Sequence, residues 1–264
     1  MTITTLDGII AAAKQRILLT KSGSRTSVAA AGCSVFELAG NVGAGTLAGT
    51  STTTGVVPTD ATAGCPTINA FGGSTVGYVS RIEASNTVAC RIALYDCLWK
   101  GGAYAFNVAT SGNSPTSFSS RIPGGTDYTG LELWYEQVTA GTLVQNVNVN
   151  YNNQSAAAKS TGVIAAPLAM IVGRMFMLPL AAGDSGIQGV TGVTGTVASA
   201  GTFNLLVMRP LDELRIRVAN DGIIHDALST GMPIIFTESA LMMVVYADST
   251  ASGAPELVID IANG

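Results

Sequence analysis

At 264 residues the chain is long enough to bury roughly 70–75% of the surface it exposes when unfolded, so a core needs neither disulfides nor metals. Only 11% of the residues are charged, against a usual share of about 25%, while 47% are hydrophobic and the mean hydropathy is +0.40. The net charge of −4 and the absence of any Lys/Arg cluster exclude the basic stripe that phosphate binding needs, so no nucleic-acid partner is expected.

Low charge has two readings. Either the exterior is rich in Thr, Ser, Asn and Gly and polar without charge, or other subunits cover much of it. The amino terminus lacks a cationic region followed by an apolar run and a small-residue cleavage site, so no signal peptide is expected and the protein should stay in the cytosol. Cys33, Cys65, Cys90 and Cys97 form no Cys-x-x-Cys pair and the chain has 1 histidine, which argues against a Cys/His zinc site. They read as small buried hydrophobes in a reducing compartment.

Residues 5–19 are the one segment predicted helical. Leu6, Ile9, Ile10, Ala13 and Ile17 recur at helical spacing, Thr4 or Thr5 can cap, Asp7 suits the first turn, and Gly23 can end it. Its apolar stripe must dock either on its own β-domain or on a neighbour. From 39 to 74 the composition turns to Gly, Thr, Ala and Ser, an arm or long loop that reads by default as a flexible surface loop and in an assembly can be ordered by lying across an adjacent subunit.

Strands are predicted from there onward. Val88, Cys90, Ile92 and Leu94 share one face; Leu131, Leu133 and Tyr135 alternate with Glu132, Trp134 and Glu136. Val147, Val149 and Tyr151 alternate with an outward amide row, Asn146, Asn148, Asn150 and Asn152. The stretch 163–182 is apolar, but Arg174 at its middle and Pro167 and Pro179 argue against a membrane span, so it reads as a linker and a buried strand. Phe203, Leu205 and Val207 alternate with Asn204, Leu206 and Met208, and Leu241, Met243 and Val245 with Met242, Val244 and Tyr246. Both faces of these strands are largely apolar, so the other half of the protein or a partner chain must cover each.

A faint self-repetition at an offset of about 110 residues organises these elements. Residues 87–95 answer to 200–208, 131–135 to 241–246, and 147–151 to 257–261. The expected architecture is all-β, a jelly-roll-like antiparallel sandwich or sandwiches built from two similar halves, with a short N-terminal helix and the Gly/Thr-rich arm. The segments are 1–38 (helix and lead-in), 39–74 (arm), 75–160 (first β half) and 161–264 (second β half).

The letters of Gly183-Asp184-Ser185-Gly186 match those around a chymotrypsin-like nucleophile, yet the single histidine, His225, follows the serine instead of preceding it. A turn explains the segment better, and a hydrolase using Ser185 serves only as a foil. His225 beside Asp226 reads as a surface or capping histidine. Gly40, Gly43, Gly45 and Gly49 lack a following Gly-Lys-Ser/Thr and read as flexible arm, and Asp212, Glu213 and Asp248 as turn carboxylates and not calcium ligands. Trp99, Tyr104, Trp134 and Tyr135 are either a carbohydrate-stacking platform or, more simply, core and interface.

The chain resembles virion structural proteins of tailed bacteriophages. The likeness runs through residues 3–8, Leu94-Tyr95-Asp96 followed by Trp99, 131–136, 149–154, 178–186, and Arg209-Pro210 after an apolar strand. The resemblance implies a capsid decoration, minor capsid or cement protein, commonly trimeric on the shell.

The expected function is therefore a non-enzymatic virion component, assembled in the host cytoplasm, that binds and stabilises the capsid. Its partners would be its own copies as a homotrimer and the major capsid protein, with no cofactor, metal, nucleic acid or membrane. Candidate contact residues are Leu6, Ile10 and Ile17 in the helix and Val56, Val57 and Ile68 in the arm. The alternative is a tail or baseplate component binding a glycan or receptor through surface aromatics such as Trp134.

Overall fold

The computed structural model describes residues 5–72, 76–106, 109–110, 115–141, 146–165, 170–195 and 200–264. Thr4 and Pro167, named above, lie outside them, as do the first residues of 3–8 and the last of 39–74. In chain order come α1 (Leu6–Ala11), β1 (Lys14–Thr20), β2 (Gly32–Ser34), β3 (Ser51–Val56), β4 (Val76–Asn86), β5 (Cys90–Ala105) and β6 (Ala109–Thr110). There follow β7 (Glu132–Thr139), β8 (Asn146–Asn153), β9 (Ala158–Ser160), β10 (Ile164–Ala165), β11 (Arg174–Met177) and β12 (Ile187–Gly195). The last elements are β13 (Thr202–Ile216), β14 (Asp221–His225), α2 (Ala227–Thr230), β15 (Ile234–Phe236), β16 (Leu241–Ala247) and β17 (Glu256–Asn263).

The strands form a barrel flanked by two sheets. β13, β7, β11, β2, β16 and β5 are hydrogen-bonded in that order, and β5 pairs back to β13, which closes the ring; β3 adds to β5. One outer sheet runs β1-β17-β4-β14 with β15 beside β4, the other β10-β8-β12-β6 with β9 beside β8. Each outer sheet covers four strands of the barrel wall. The first sandwich sets β1-β17-β4-β14 against β2-β16-β5-β13, and the second sets β10-β8-β12-β6 against β11-β7-β13-β5.

Both units have the paired four-strand sheets of a jelly roll, and the long strands β5 and β13 belong to both. The sequence repeat maps onto this geometry. Exchanging β5 with β13, β7 with β16, β8 with β17, and their neighbours likewise, turns one sandwich into the other. The halves are interleaved: β17 lies between β1 and β4, so the first sandwich draws strands from both ends of the chain, while the second is built from the middle, β5 to β13. The whole exposes 10662 Å2, close to the roughly 10,800 Å2 expected of a single compact protein of this mass.

Alternation along each strand sorts side chains among three cores. Ile17, Leu19, Val79, Ile82, Leu257 and Ile259 meet Ile92, Leu94, Leu214, Met243 and Val245 between the first outer sheet and the barrel. Val147, Val149, Tyr151, Ile187 and Val190 meet Leu133, Tyr135, Phe203, Leu205 and Val207 in the second sandwich. Ala93, Tyr95, Cys97, Trp134, Leu206, Met208, Met242 and Val244 fill the barrel. The two-sided apolar strands are thus covered from within: one face of β13 and of β16 looks into the barrel and the other into a sandwich.

Two local expectations are corrected. The helix ends at Ala11 because Ala12 is extended (ψ 143°), and the segment that the helical spacing carried on to Ile17 is strand β1 instead. β1 pairs with β17 over seven registered residues and buries Ile17 and Leu19, so tertiary pairing overrides a periodicity that holds only over the first turn and a half. The arm, for its part, packs on its own barrel. Leu47, Cys65, Ile68 and Phe71 are buried, and Lys21 is enclosed by the carbonyls of Phe36, Leu38, Val42 and Gly43 at 3.0–3.4 Å. Glycine permits this close wrap: a Cβ on Gly40 would fall 1.8 Å from the Thr20 carbonyl oxygen, and one on Gly55 (φ +64°) would strike the Trp99 ring.

Arg16 and Asp260 face each other across β1 and β17, with Arg16 Nε donating to Asp260 Oδ1 at 2.7 Å. That bond holds the Asp260 carboxyl below its usual value. A depressed carboxyl stabilises the fold above the unfolded pKa of about 3.9, and the contribution is lost as pH falls through the folded value. Because Arg16 is 66% exposed, Asp260→Asn should remove no more than about 1 kcal/mol at neutral pH. Urea melts should show the variant and parent converging as pH drops below 4; parallel curves would contradict the assignment.

Candidate functional site

Where β5 and β13 pass from one sandwich to the other, Asp96 and Arg209 are directly opposed, and a charge cluster is sealed there. Asp96 is fully buried. It accepts from Arg121 Nη2 at 2.8 Å, Arg209 Nη2 at 3.0 Å, Ser239 Oγ at 2.7 Å and the Ala240 amide at 2.9 Å. Arg121 also donates to the carbonyls of Pro58, Glu238 and Cys97. A carboxylate holding two guanidiniums in this way is structural, since every lone pair direction is used inside the protein.

The two ends of the barrel differ. At one, Phe36, just after β2, and Cys65 from the wrapped arm plug the interior beside Lys100, whose Nζ lies 3.4 Å from Glu136 Oε2. Asn204 Nδ2 donates to the same oxygen at 2.7 Å. The other end is open, and cross-strand register sets its composition. Arg215 stands directly opposite Arg91, and Arg91 opposite Tyr246, in a row over β13, β5 and β16. The Arg91 guanidinium lies 3.7 Å above the Tyr246 ring and donates to Glu213 at 3.1 Å. With Arg217 and Asp248 these residues line a groove of about 660 Å3.

The four cysteines are free and buried. Burial pushes the Cys33 thiol up to about 11 and Cys65 up to about 12, and raises Cys97 further. The thiolate is the reactive form, so these groups should be inert in the folded protein. A thiol-exchange reagent at pH 8 should label none of the four within minutes in buffer and all four in denaturant; rapid labelling of Cys65 in the native protein would show that the arm opens.

The structure separates the predicted contact residues. Leu6 (59%), Ile10 (67%) and Val56 (43%) are exposed, Val57 is half-buried against the second core, and Ile17 and Ile68 belong to the first core. α1 buries none of its residues, and Thr5 caps it by accepting the Gly8 amide at 3.1 Å. The aromatic platform is not a surface: Trp99, Tyr104, Trp134 and Tyr135 are all at most 3% exposed.

The remaining motifs are structural. Asp184 accepts from Tyr151 Oη at 2.6 Å and Asn153 Nδ2 at 2.7 Å, while the Ser185 amide donates to Gln154, so the Gly-Asp-Ser-Gly segment is a braced turn in the second sandwich. His225 lies on β14 in the first sandwich, its Nδ1 3.0 Å from Asp212, and Asp226 caps α2. Among the described residues no group of three His, Cys, Asp or Glu side chains could hold a metal ion, and no helix is long and apolar enough to cross a membrane. The arginine row escaped the sequence reading because Arg91 lies over 120 positions from Arg215 and Arg217; the only trace was the Arg-x-Arg spacing at 215–217, which puts two guanidiniums on one strand face.

Fold and surface thus define an all-β protein of two interleaved sandwiches on a shared barrel. No protein-family model matches the chain, and no curated protein matches it. Among solved structures it is similar to the infectious bursal disease virus Gt strain structure, at 8% identity over 95% of this chain and 81% of that one, with a TM-score of 0.19. A mutant VP2 protein of the same virus in derived T=1 particles gives 8% identity over 95% and 77%, with a TM-score of 0.18.

Proposed function

We propose that the chain is a non-enzymatic virion structural protein that binds and stabilises a tailed-phage capsid as a decoration, minor capsid or cement protein. The observation that carries the reading is α1: six residues, none buried, with Leu6 and Ile10 directed to solvent. A helix this short is not stable alone in water, so its order and its apolar face call for a partner surface. The order of motifs shared with tailed-phage virion proteins supports the same reading, as does the jelly-roll layout, which shell proteins use widely. Its partners are further copies of itself, as a homotrimer, and the major capsid protein; its place is the virion, after assembly in the host cytoplasm.

The test is sedimentation of purified protein with shells that lack it, followed by imaging of labelled protein on whole particles. Label should cover the head. At roughly 1.5 kcal/mol per buried aliphatic side chain, Leu6→Ser with Ile10→Ser should weaken shell binding about a hundredfold. Thermal stability should stay within about 2 °C of the parent, because neither side chain is buried in the protomer. Label confined to the tail tip, or no association with shells, would refute the proposal.

A further inference from the structure

The open end of the barrel concentrates cations in a chain of net charge −4. Arg91 and Arg215 are direct cross-strand neighbours, and like charges so placed repel. Arg217 follows two residues on, just past the end of β13, and lines the same groove. Glu213 engages Arg91 alone. Arg215 and Arg217 are exposed and have no anionic partner among the described residues. A row of guanidiniums left in this state is arranged for an anion that arrives from outside.

From this geometry we infer that the groove binds an acidic peptide segment, two carboxylates seated on the forks of Arg215 and Arg217. All three cations are arginines, whose planar forks match carboxylates two bonds at a time. Glu213 and Asp248 on the groove wall leave the two unpartnered arginines as the seats for an incoming anion, which suits a segment offering two carboxylates and disfavours the denser charge of a nucleic-acid backbone. A sugar or base would need a free ring face, but the Arg91 guanidinium covers Tyr246 and Trp134 is 3% exposed. That the segment belongs to a shell subunit rests on the proposed function; the chemistry of the groove does not.

The experiment measures anisotropy of fluorescein-labelled hexaglutamate titrated with the full chain at low ionic strength. Arg215→Glu with Arg217→Glu should weaken binding at least tenfold, and the double lysine variant, Arg215→Lys with Arg217→Lys, several-fold, because charge remains but the fork is lost. Both side chains are exposed, so circular-dichroism melts should match the parent. Added salt should weaken the parent complex. Equal affinity of parent and the double Glu variant for hexaglutamate overturns the inference. So does tighter, Arg215-dependent binding of labelled trigalacturonate or oligothymidylate than of hexaglutamate. A parent protein that sediments with shells but ignores hexaglutamate defeats this inference and leaves the capsid reading intact. One that binds hexaglutamate but not shells does the reverse.

Discussion

Replacing Asp96 with alanine is expected to destabilise the protein by about 3–5 kcal/mol, the usual consequence of leaving buried charges without their counter-ion. Asp96 is fully buried and Arg121 is 2% exposed, so water cannot solvate the guanidiniums the substitution would strand. The loss would also spread. Arg121 precedes β7 and fixes the Pro58 and Glu238 carbonyls, while Ser239 and Ala240 lead into β16, so one carboxylate ties the wrapped arm and loops of both sandwiches to β5. For a chain of this size each kcal/mol moves the melting temperature by about 2–4 °C, which puts the drop near 10 °C. Asp96→Asn, which keeps an acceptor for Ser239 but no charge, should fall between. Calorimetry showing a loss under about 1 kcal/mol for the alanine variant would mean that the cluster is not needed.

Phe203→Ala should have an effect of similar size by a different route. Phe203 is 1% exposed and lies among Phe106, Tyr135 and Tyr104, with ring centroids 4.7, 5.0 and 5.6 Å away. Truncation removes the transfer energy of the ring and opens a cavity that three large neighbours on β5, β7 and the following turn cannot easily fill, a loss of about 3–5 kcal/mol. Phe203→Leu should lose less than half of that. Urea unfolding with an unchanged m-value separates the two variants; equal stabilities would show that the aromatic cluster repacks.

Much of the β-architecture was legible. In β7, Leu133 and Tyr135 face the second core while Trp134 faces the barrel, as their alternation required, and in β8 the row of asparagines stays outside. What failed did so where a distant pairing decides the local state. Ile17 and Leu18 read as helix because the strand that claims them, β17, is some 240 residues away. The arm read as an extension because glycine and threonine give no sign of the surface they will lie on; Ile68 and Phe71 are buried by strands from the far end of the chain. Asp96 was visible within Leu94-Tyr95-Asp96, but a carboxylate in a strand reveals its partners only once Arg121 and Arg209 are folded beside it. The contact residues divided for the same reason: Leu6 and Ile10 precede any pairing and stay outside, while Ile17 does not.

β5 and β13 serve two sandwiches at once, and their mutual ladder runs from Cys90–Ala105 against Thr202–Ile216. Neither unit can come apart without stripping a wall from the other, so the molecule has no seam at which to yield. Mechanical or thermal stress is met by all three cores together, and severing the chain between its halves would yield two fragments that each lack the strands to complete a roll. A protein built in this way melts in one cooperative step or not at all.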